Sequence, residues 1–280
     1  MSVLTTAGPR GFELLKLVAF LRRDFLVAWS YRMSFVSDAI NLVAQALIFY
    51  YVAQMIDPAT LPLYGGTRPG YMAFVAVGIG LSAFLQVGLG KMATAIRQEQ
   101  VAGTLESLLL TPTRITTLQM GSIAYDLLYV PLQTAMFLVF IAVGFAVDFD
   151  VSGLGPATAV LVAFLPFAWG LGVITAAGIL TFRRGSGLFG LAAYVLTFMS
   201  GAYFPLALFP EWVQSVARLN PIAIALEGMR AALLGGASWP ELTDDIAILA
   251  AVSAVCMAIG LFTFRWALRR ELRRGSLGLY

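Results

Sequence analysis

The chain contains no histidine, a single cysteine and little charge: Lys, Arg, Asp and Glu make up 12% of its 280 residues. Without imidazole there is no Ser-His-Asp triad, no histidine general base and no His-ligated metal. The lone Cys256 stands in an apolar run, so no disulfide forms within one chain and no cysteine-rich metal site exists. The phosphate-binding G-x-x-x-x-G-K-[ST] loop is missing too. Gly90-Lys91 lacks both the upstream glycine and the following hydroxyl, which excludes nucleotide hydrolysis by that device. The scarcity of charge excludes most. Soluble domains carry roughly 25% charged and 45–50% apolar residues, whereas this chain is 60% hydrophobic with mean hydropathy +0.85. It is too apolar for a water-soluble globule, and the expected fold class is an all-α polytopic membrane protein.

What is present is a series of long apolar runs. A helix needs about 20 residues to cross ~30 Å of hydrocarbon. Six spans are expected, at about 33–56, 71–95, 117–147, 156–182, 187–204 and 246–267. Pro131 and Pro166 should kink or tilt the third and fourth. Fifteen of the 18 basic residues fall before the first span, in the loops after the second and fourth, or at the carboxyl end; only Arg68, Arg218 and Arg230 fall on the other side. By the positive-inside rule both termini lie in the cytoplasm, an orientation consistent with six crossings of the cell membrane. The first ~30 residues are too interrupted by charge for a secretory signal.

Three segments outside the spans stand out. Residues 11–30 read as a helix with Glu13, Lys16, Arg23 and Asp24 in one sector and Phe12, Leu15, Ala19, Leu26 and Trp29 in another. Such a helix lies in the membrane interface, contacting lipid, as a plain anchor or as a lever that also touches a partner. In the loop 96–116, Gly103 is a hinge and a short helix runs to Leu110, stopped by Thr111-Pro112. Its apolar face either folds back on the protein or docks into a partner's groove. The segment 205–243 is too apolar for an exposed loop, yet its helical pieces after Pro210 and Pro221 are too short to cross. Re-entrant or interfacial helices are expected there, with Glu227 and Arg230 one turn apart and able to pair.

Polar residues inside spans should face the protein or water. Ser34, Asp38, Asn41 and Gln45 form one stripe of the first span, and Ser122, Asp126, Tyr129 and Gln133 repeat the spacing in the third. Each stripe either lines a pathway for a polar part of a cargo or bonds helix to helix. In the fifth span Phe189, Tyr194, Phe198, Tyr203 and Phe204 are either belt residues or an aromatic gate built on Tyr194 and Phe198, which would suit an amphiphilic cargo.

The order of these parts resembles a known family. The loop Glu99 to Pro112 has the form E-x-x-x-G-T-L-E-x-L-L-x-T-P. The later segment reads Ser200-Gly201, Phe204-Pro205, Pro210 to Gln214, Leu219 to Pro221, then Glu227 and Arg230. With six spans and an amphipathic amino-terminal helix, this is similar to the ABC-2 type permeases, membrane subunits of ATP-driven exporters, and the likeness covers the chain from residue 11 on. The resemblance implies residues 1–32 as a connecting helix, 33–267 as the six-span domain and 268–280 as a basic cytoplasmic tail. It implies a homodimer coupled to two cytoplasmic ABC ATPase subunits that bind the ATP and Mg, with no cofactor on this chain and no nucleic acid. Arg97, Glu99, Gly103, Glu106, Leu109, Pro112 and Arg114 would form the coupling helix docked on the ATPase. Asp38, Asn41, Gln45, Tyr194 and Phe198 are expected along the pathway. Phe204, Pro205, Glu227 and Arg230 belong to re-entrant helices that close the exit.

The expected function is outward movement of an amphiphile, either a lipid-linked or polymeric glycan or a hydrophobic drug-like molecule. The rival is a secondary transporter driven by an ion gradient, against which stand the few acidic residues at mid-membrane depth and the lack of a visible inverted repeat.

Overall fold

Where water is absent every backbone polar group must bond within its own segment, so apolar runs of this length fold as helices. The computed structural model describes residues 10–91, 121, 124–182 and 186–274. Among these residues the elements are helices plus one isolated β-bridge, Tyr64 to Thr67. Helix α1 is Arg10–Ser30, α2 Arg32–Ala53 and α3 Tyr71–Gln86, which runs into a π-turn at Val87–Lys91. Then follow α4, Ala124–Phe145, α5, Leu154–Phe182, and α6, Ser186–Met199. Two short helices, α7 (Glu211–Arg218) and α8 (Pro221–Gly235), precede the 36-residue α9, Trp239–Arg274.

Among the described residues, five helices are long and apolar enough to cross a membrane: Phe35–Ala53, Tyr71–Leu89, Ala124–Phe145, Val151–Ile179 and Trp239–Arg270. Six were expected, and the difference lies at 187–204. There α6 has 14 residues, roughly 21 Å at 1.5 Å per residue, short of the ~30 Å core. It ends because Gly201 takes a left-handed φ of 80° and Pro205 follows four residues later. Residues 268–274, within the expected tail, continue α9 without a break.

Helix α3 is the centre of the molecule. Its spanning window is 78% buried, against 6% for that of α2, and Phe74, Val75, Val77, Leu81 and Leu85 are enclosed. On one side it meets α5 and α8, in a core formed by Val160, Phe164 and Leu226 that Leu249 of α9 also joins; on the other, α2 and α4 through Ala46, Phe137 and Ile141. Helices α5 and α9 lie together along much of their length, with Gly170 against the backbone of Cys256 and Gly260 against the Gly170 carbonyl. Such close approach of small residues is how spans associate where lipid removes the hydrophobic drive. Helix α1 exposes Leu15, Leu26 and Trp29 and packs on the start of the third span through Phe20, whose ring sits over Gly121.

Gly78 on α3 faces the Ala202 carbonyl so closely that any β-carbon would collide with it, whereas Gly190 on α6 has nothing within 4 Å. Gly78→Ala should lower the unfolding midpoint in detergent by an amount matching about 1–3 kcal/mol of overpacking. Gly190→Ala should hold or raise it, because alanine is the better helix former. Thermal unfolding of both variants by circular dichroism checks this.

Candidate functional site

Two short helices and the loop before α3 converge at the end of the bundle expected to face outward. Helix α8 starts where Asn220 caps it: the Asn220 Oδ1 accepts from the Ile222 amide at 3.0 Å, and Pro221 occupies the first helical position. It stops at Gly236, left-handed at φ 62°. The other end of the Asn220 amide donates to the Leu196 carbonyl at 3.0 Å, tying α8 to the last turn of α6. Helix α7 buries Val213 and Ala217 and exposes Trp212 and Val216. The expectation of short helices over 205–243 is met, each too short to cross.

Arg230 on α8 is completely buried. Its Nε donates to the Phe74 carbonyl at 3.2 Å, and its Nη2 to the Gly201 and Ala202 carbonyls at 3.0 and 3.1 Å. Those last two carbonyls lie just beyond the end of α6, where no helical amide reaches them. The guanidinium therefore supplies the hydrogen bonds that the broken helix lacks, and it lies 3.5 Å from the centre of the Phe74 ring. Glu227, one turn earlier, is 3.5 Å from Nη1 and 43% exposed. The expected Glu227–Arg230 pair is thus formed, but it is the loosest of the contacts Arg230 makes.

The loop 54–70 closes over this pair. Tyr64 and Thr67 exchange backbone hydrogen bonds at 2.8 and 3.0 Å, and this turn presents the Tyr64 hydroxyl to Glu227 Oε2 at 2.7 Å. Burial and the Glu227 carboxylate together push the Tyr64 phenol well above its ordinary value near 10. Tyr71 donates to the Tyr203 carbonyl at 2.8 Å, and the Tyr203 ring stacks on Phe49 of α2 at 5.6 Å. Residues 200–209 are thereby held from three sides. Pro205 is buried and Phe204 half-buried. Tyr64, Tyr71, Phe74 and Asn220 were not among the residues singled out from sequence. The turn residues Gly65-Gly66 mark a tight bend beside Tyr64, but nothing in the order of residues says which carboxylate it meets.

The aromatic residues of α6 do meet. Tyr194 stacks on Phe198 at 6.5 Å, and Phe198 lies edge-on to Phe204 at 6.3 Å and to Phe209 at 5.5 Å. Tyr194 is 61% exposed, so the group faces away from its own bundle. The two polar stripes also meet, since Tyr129 of α4 donates to Asp38 Oδ2 of α2 at 2.8 Å. Asn41 is exposed and Gln45 half-buried. The residues expected in the coupling helix, Arg97, Glu99, Gly103, Glu106, Leu109, Pro112 and Arg114, lie outside the described residues. Among the described residues, no group of three or more Cys, Asp or Glu is placed to hold a metal ion.

A family model described as ABC-2 type transporter matches residues 16–234. Over 102 residues the chain is 28% identical to the linearmycin resistance permease protein LnrN of Bacillus subtilis (strain 168). That alignment covers 36% of this chain and 26% of the relative's length.

Two outcomes follow from the Arg230 network. Arg230→Leu strands three buried carbonyls and should cost about 3–5 kcal/mol of stability, read as a large fall in the detergent unfolding midpoint, whereas Tyr64→Phe loses one charge-assisted bond, worth about 1.5–3 kcal/mol. The raised Tyr64 pKa also fixes a sign. Above about pH 10 the unfolded chain releases this proton while the folded protein keeps it, so stability falls as pH rises. The slope of stability against pH between about 9 and 11 should be shallower in Tyr64→Phe than in the parent.

Proposed function

The chain belongs to the ABC-2 type transporter family, and on that premise we propose that this membrane subunit of an ABC transporter exports an amphiphilic substrate with ATP hydrolysed by a separate subunit. The carrying observation is the family match over 16–234, which runs from the first helix into the last turn of α8. The relative named as a linearmycin resistance permease favours a hydrophobic drug-like cargo over a lipid-linked or polymeric glycan. The aromatic group Tyr194, Phe198, Phe204 and Phe209, exposed at Tyr194 and Phe198, suits the apolar part of either.

In this reading two copies face each other across α2 and α6, whose outward surfaces carry Asn41 and Tyr194 respectively, and each copy binds one cytoplasmic ABC ATPase with its ATP and Mg. Both termini lie in the cytoplasm of a cell-membrane protein. Residues 186–204 complete a sixth crossing by way of the unwound stretch after Met199, and α7 and α8 are the re-entrant helices closing the exit. ATP binding drives the coupling helices within 96–116 together. Helices α3, α5, α8 and α9, being packed as one block, move as a rigid body.

The test is reconstitution with a nucleotide-binding subunit in sealed vesicles. ATP-dependent accumulation of an amphiphile is expected; accumulation driven by an ion gradient with no need for ATP would replace this reading with secondary transport. In the same preparation Leu109→Asp should release the ATPase on affinity purification while the unfolding midpoint of the permease stays within about 2 °C of the parent, as expected where a side chain serves the subunit contact and not the fold.

A further inference from the structure

A carboxylate at hydrocarbon depth is expensive unless it meets a cation, water or hydrogen-bond donors. Asp38 lies inside the spanning window Phe35–Ala53 and is only half-buried. One of its oxygens, Oδ2, accepts from the Tyr129 hydroxyl at 2.8 Å. Among the described residues nothing donates to Oδ1, and no ion pair described for them involves Asp38. The surroundings are aromatic. Phe35 stands edge-on to Tyr129 with centroids 5.7 Å apart, and Tyr125 stacks on Tyr129 at 5.5 Å and 13°. A second carboxylate, the buried Asp126, sits one turn before Tyr129 on α4.

We propose that Asp38, with the rings of Phe35, Tyr125 and Tyr129, forms a binding site for an organic cation with an apolar body, such as a quaternary ammonium or phosphonium amphiphile. The chemistry is complementary on both counts. Aromatic faces attract diffuse organic cations, most strongly where water is scarce, and the open Oδ1 supplies the counter-charge. A hydroxyl already donating to Oδ2 keeps the carboxylate in place, leaving Oδ1 for the ligand. An anionic head would meet the Asp38 carboxylate and be repelled. A glycan lacking a positive group gains nothing from the charge. The role of this site as a place of cargo entry rests on the export reading above, and it narrows the amphiphile to a cationic one; the site itself needs neither ATP nor a partner.

The full chain in phosphatidylcholine nanodiscs, without nucleotide or ATPase, is titrated with radiolabelled tetraphenylphosphonium by equilibrium dialysis. Saturable binding is expected, displaced by tetradecyltrimethylammonium but not by tetradecyl sulfate. Asp38→Asn should weaken it about tenfold, Tyr125→Leu about threefold, and Glu241→Gln, distant on an exposed helix start, should leave it unchanged. Tyr129→Phe keeps the ring and frees Oδ2, so affinity should stay within about threefold of the parent. Unfolding midpoints identify any variant that fails to fold, and Asp38→Asn retains an acceptor for Tyr129. Unsaturable binding, parental affinity in Asp38→Asn, or equal displacement by the sulfate would overturn the proposal. So would parallel losses of stability in Asp38→Asn and Tyr129→Phe with affinity untouched, since the carboxylate would then be a clip between helices. Because the readout is binding alone, loss of this site leaves the export reading standing, and a failure of ATP-driven export in vesicles leaves the site standing.

Discussion

A single buried guanidinium organises one end of this molecule. Arg230 carries a charge into a place with no water, which is tolerable only because three carbonyls, a ring face and a carboxylate surround it. These partners come from three parts of the chain: Phe74 from the central α3, Gly201 and Ala202 from the stretch after α6, Glu227 from its own helix. The carbonyls after α6 would be orphaned by the break at Gly201, and without them Nη2 of the arginine would lose both of its acceptors. The two defects satisfy one another, so the broken span and the buried charge belong to one structural solution.

That dependence spreads outward. With Arg230 in place, Glu227 is positioned for Tyr64, and the turn 64–67 seals loop 54–70 over α8. Asp150, at the start of the turn leading into α5, donates its amide to the Leu233 carbonyl at 2.8 Å. Helix α8 is thus fastened to three connecting segments, and its residues Ile222, Ala225, Leu226 and Leu233 are among the most deeply buried of the chain. Helix α7 is its opposite, short and half-exposed, joined mainly to its neighbours along the chain and to α6. Any movement that opens this end meets least resistance at α7, since the stretch just after Met199 is tied to Arg230 and Tyr71.

The other end relies on different physics. Asp38 and Tyr129 join two spans whose remaining surfaces are largely apolar, and a hydrogen bond between spans is worth only about 0.6 kcal/mol on average. Helix α2 is otherwise scarcely covered, with Ile40, Leu47, Ile48 and Tyr51 exposed. An element so lightly held by its own chain can respond to whatever covers its face, whether lipid, cargo or a second copy, whereas the α3 block cannot.

Much of this was legible in the residues themselves. Hydrophobic runs located the starts of the first, second and fourth spans to within about two residues, because run length and bilayer thickness are directly comparable. Pro221 marked the start of α8, because proline suits a first helical position. Spacing of three and four placed Glu227 near Arg230 and aligned Asp38 with its stripe, since helical periodicity is a property of neighbours in sequence. A hydropathy average over 187–204 does not register the left-handed Gly201, so the point where α6 ends is not visible in the run. Only the folded chain decided that Tyr64 would reach Glu227, 163 positions away, that Arg230 would turn from its near carboxylate to distant carbonyls, and that Tyr129 would choose Asp38. Those choices depend on which helix faces pack together, and packing is settled by the shapes of residues far apart in the chain.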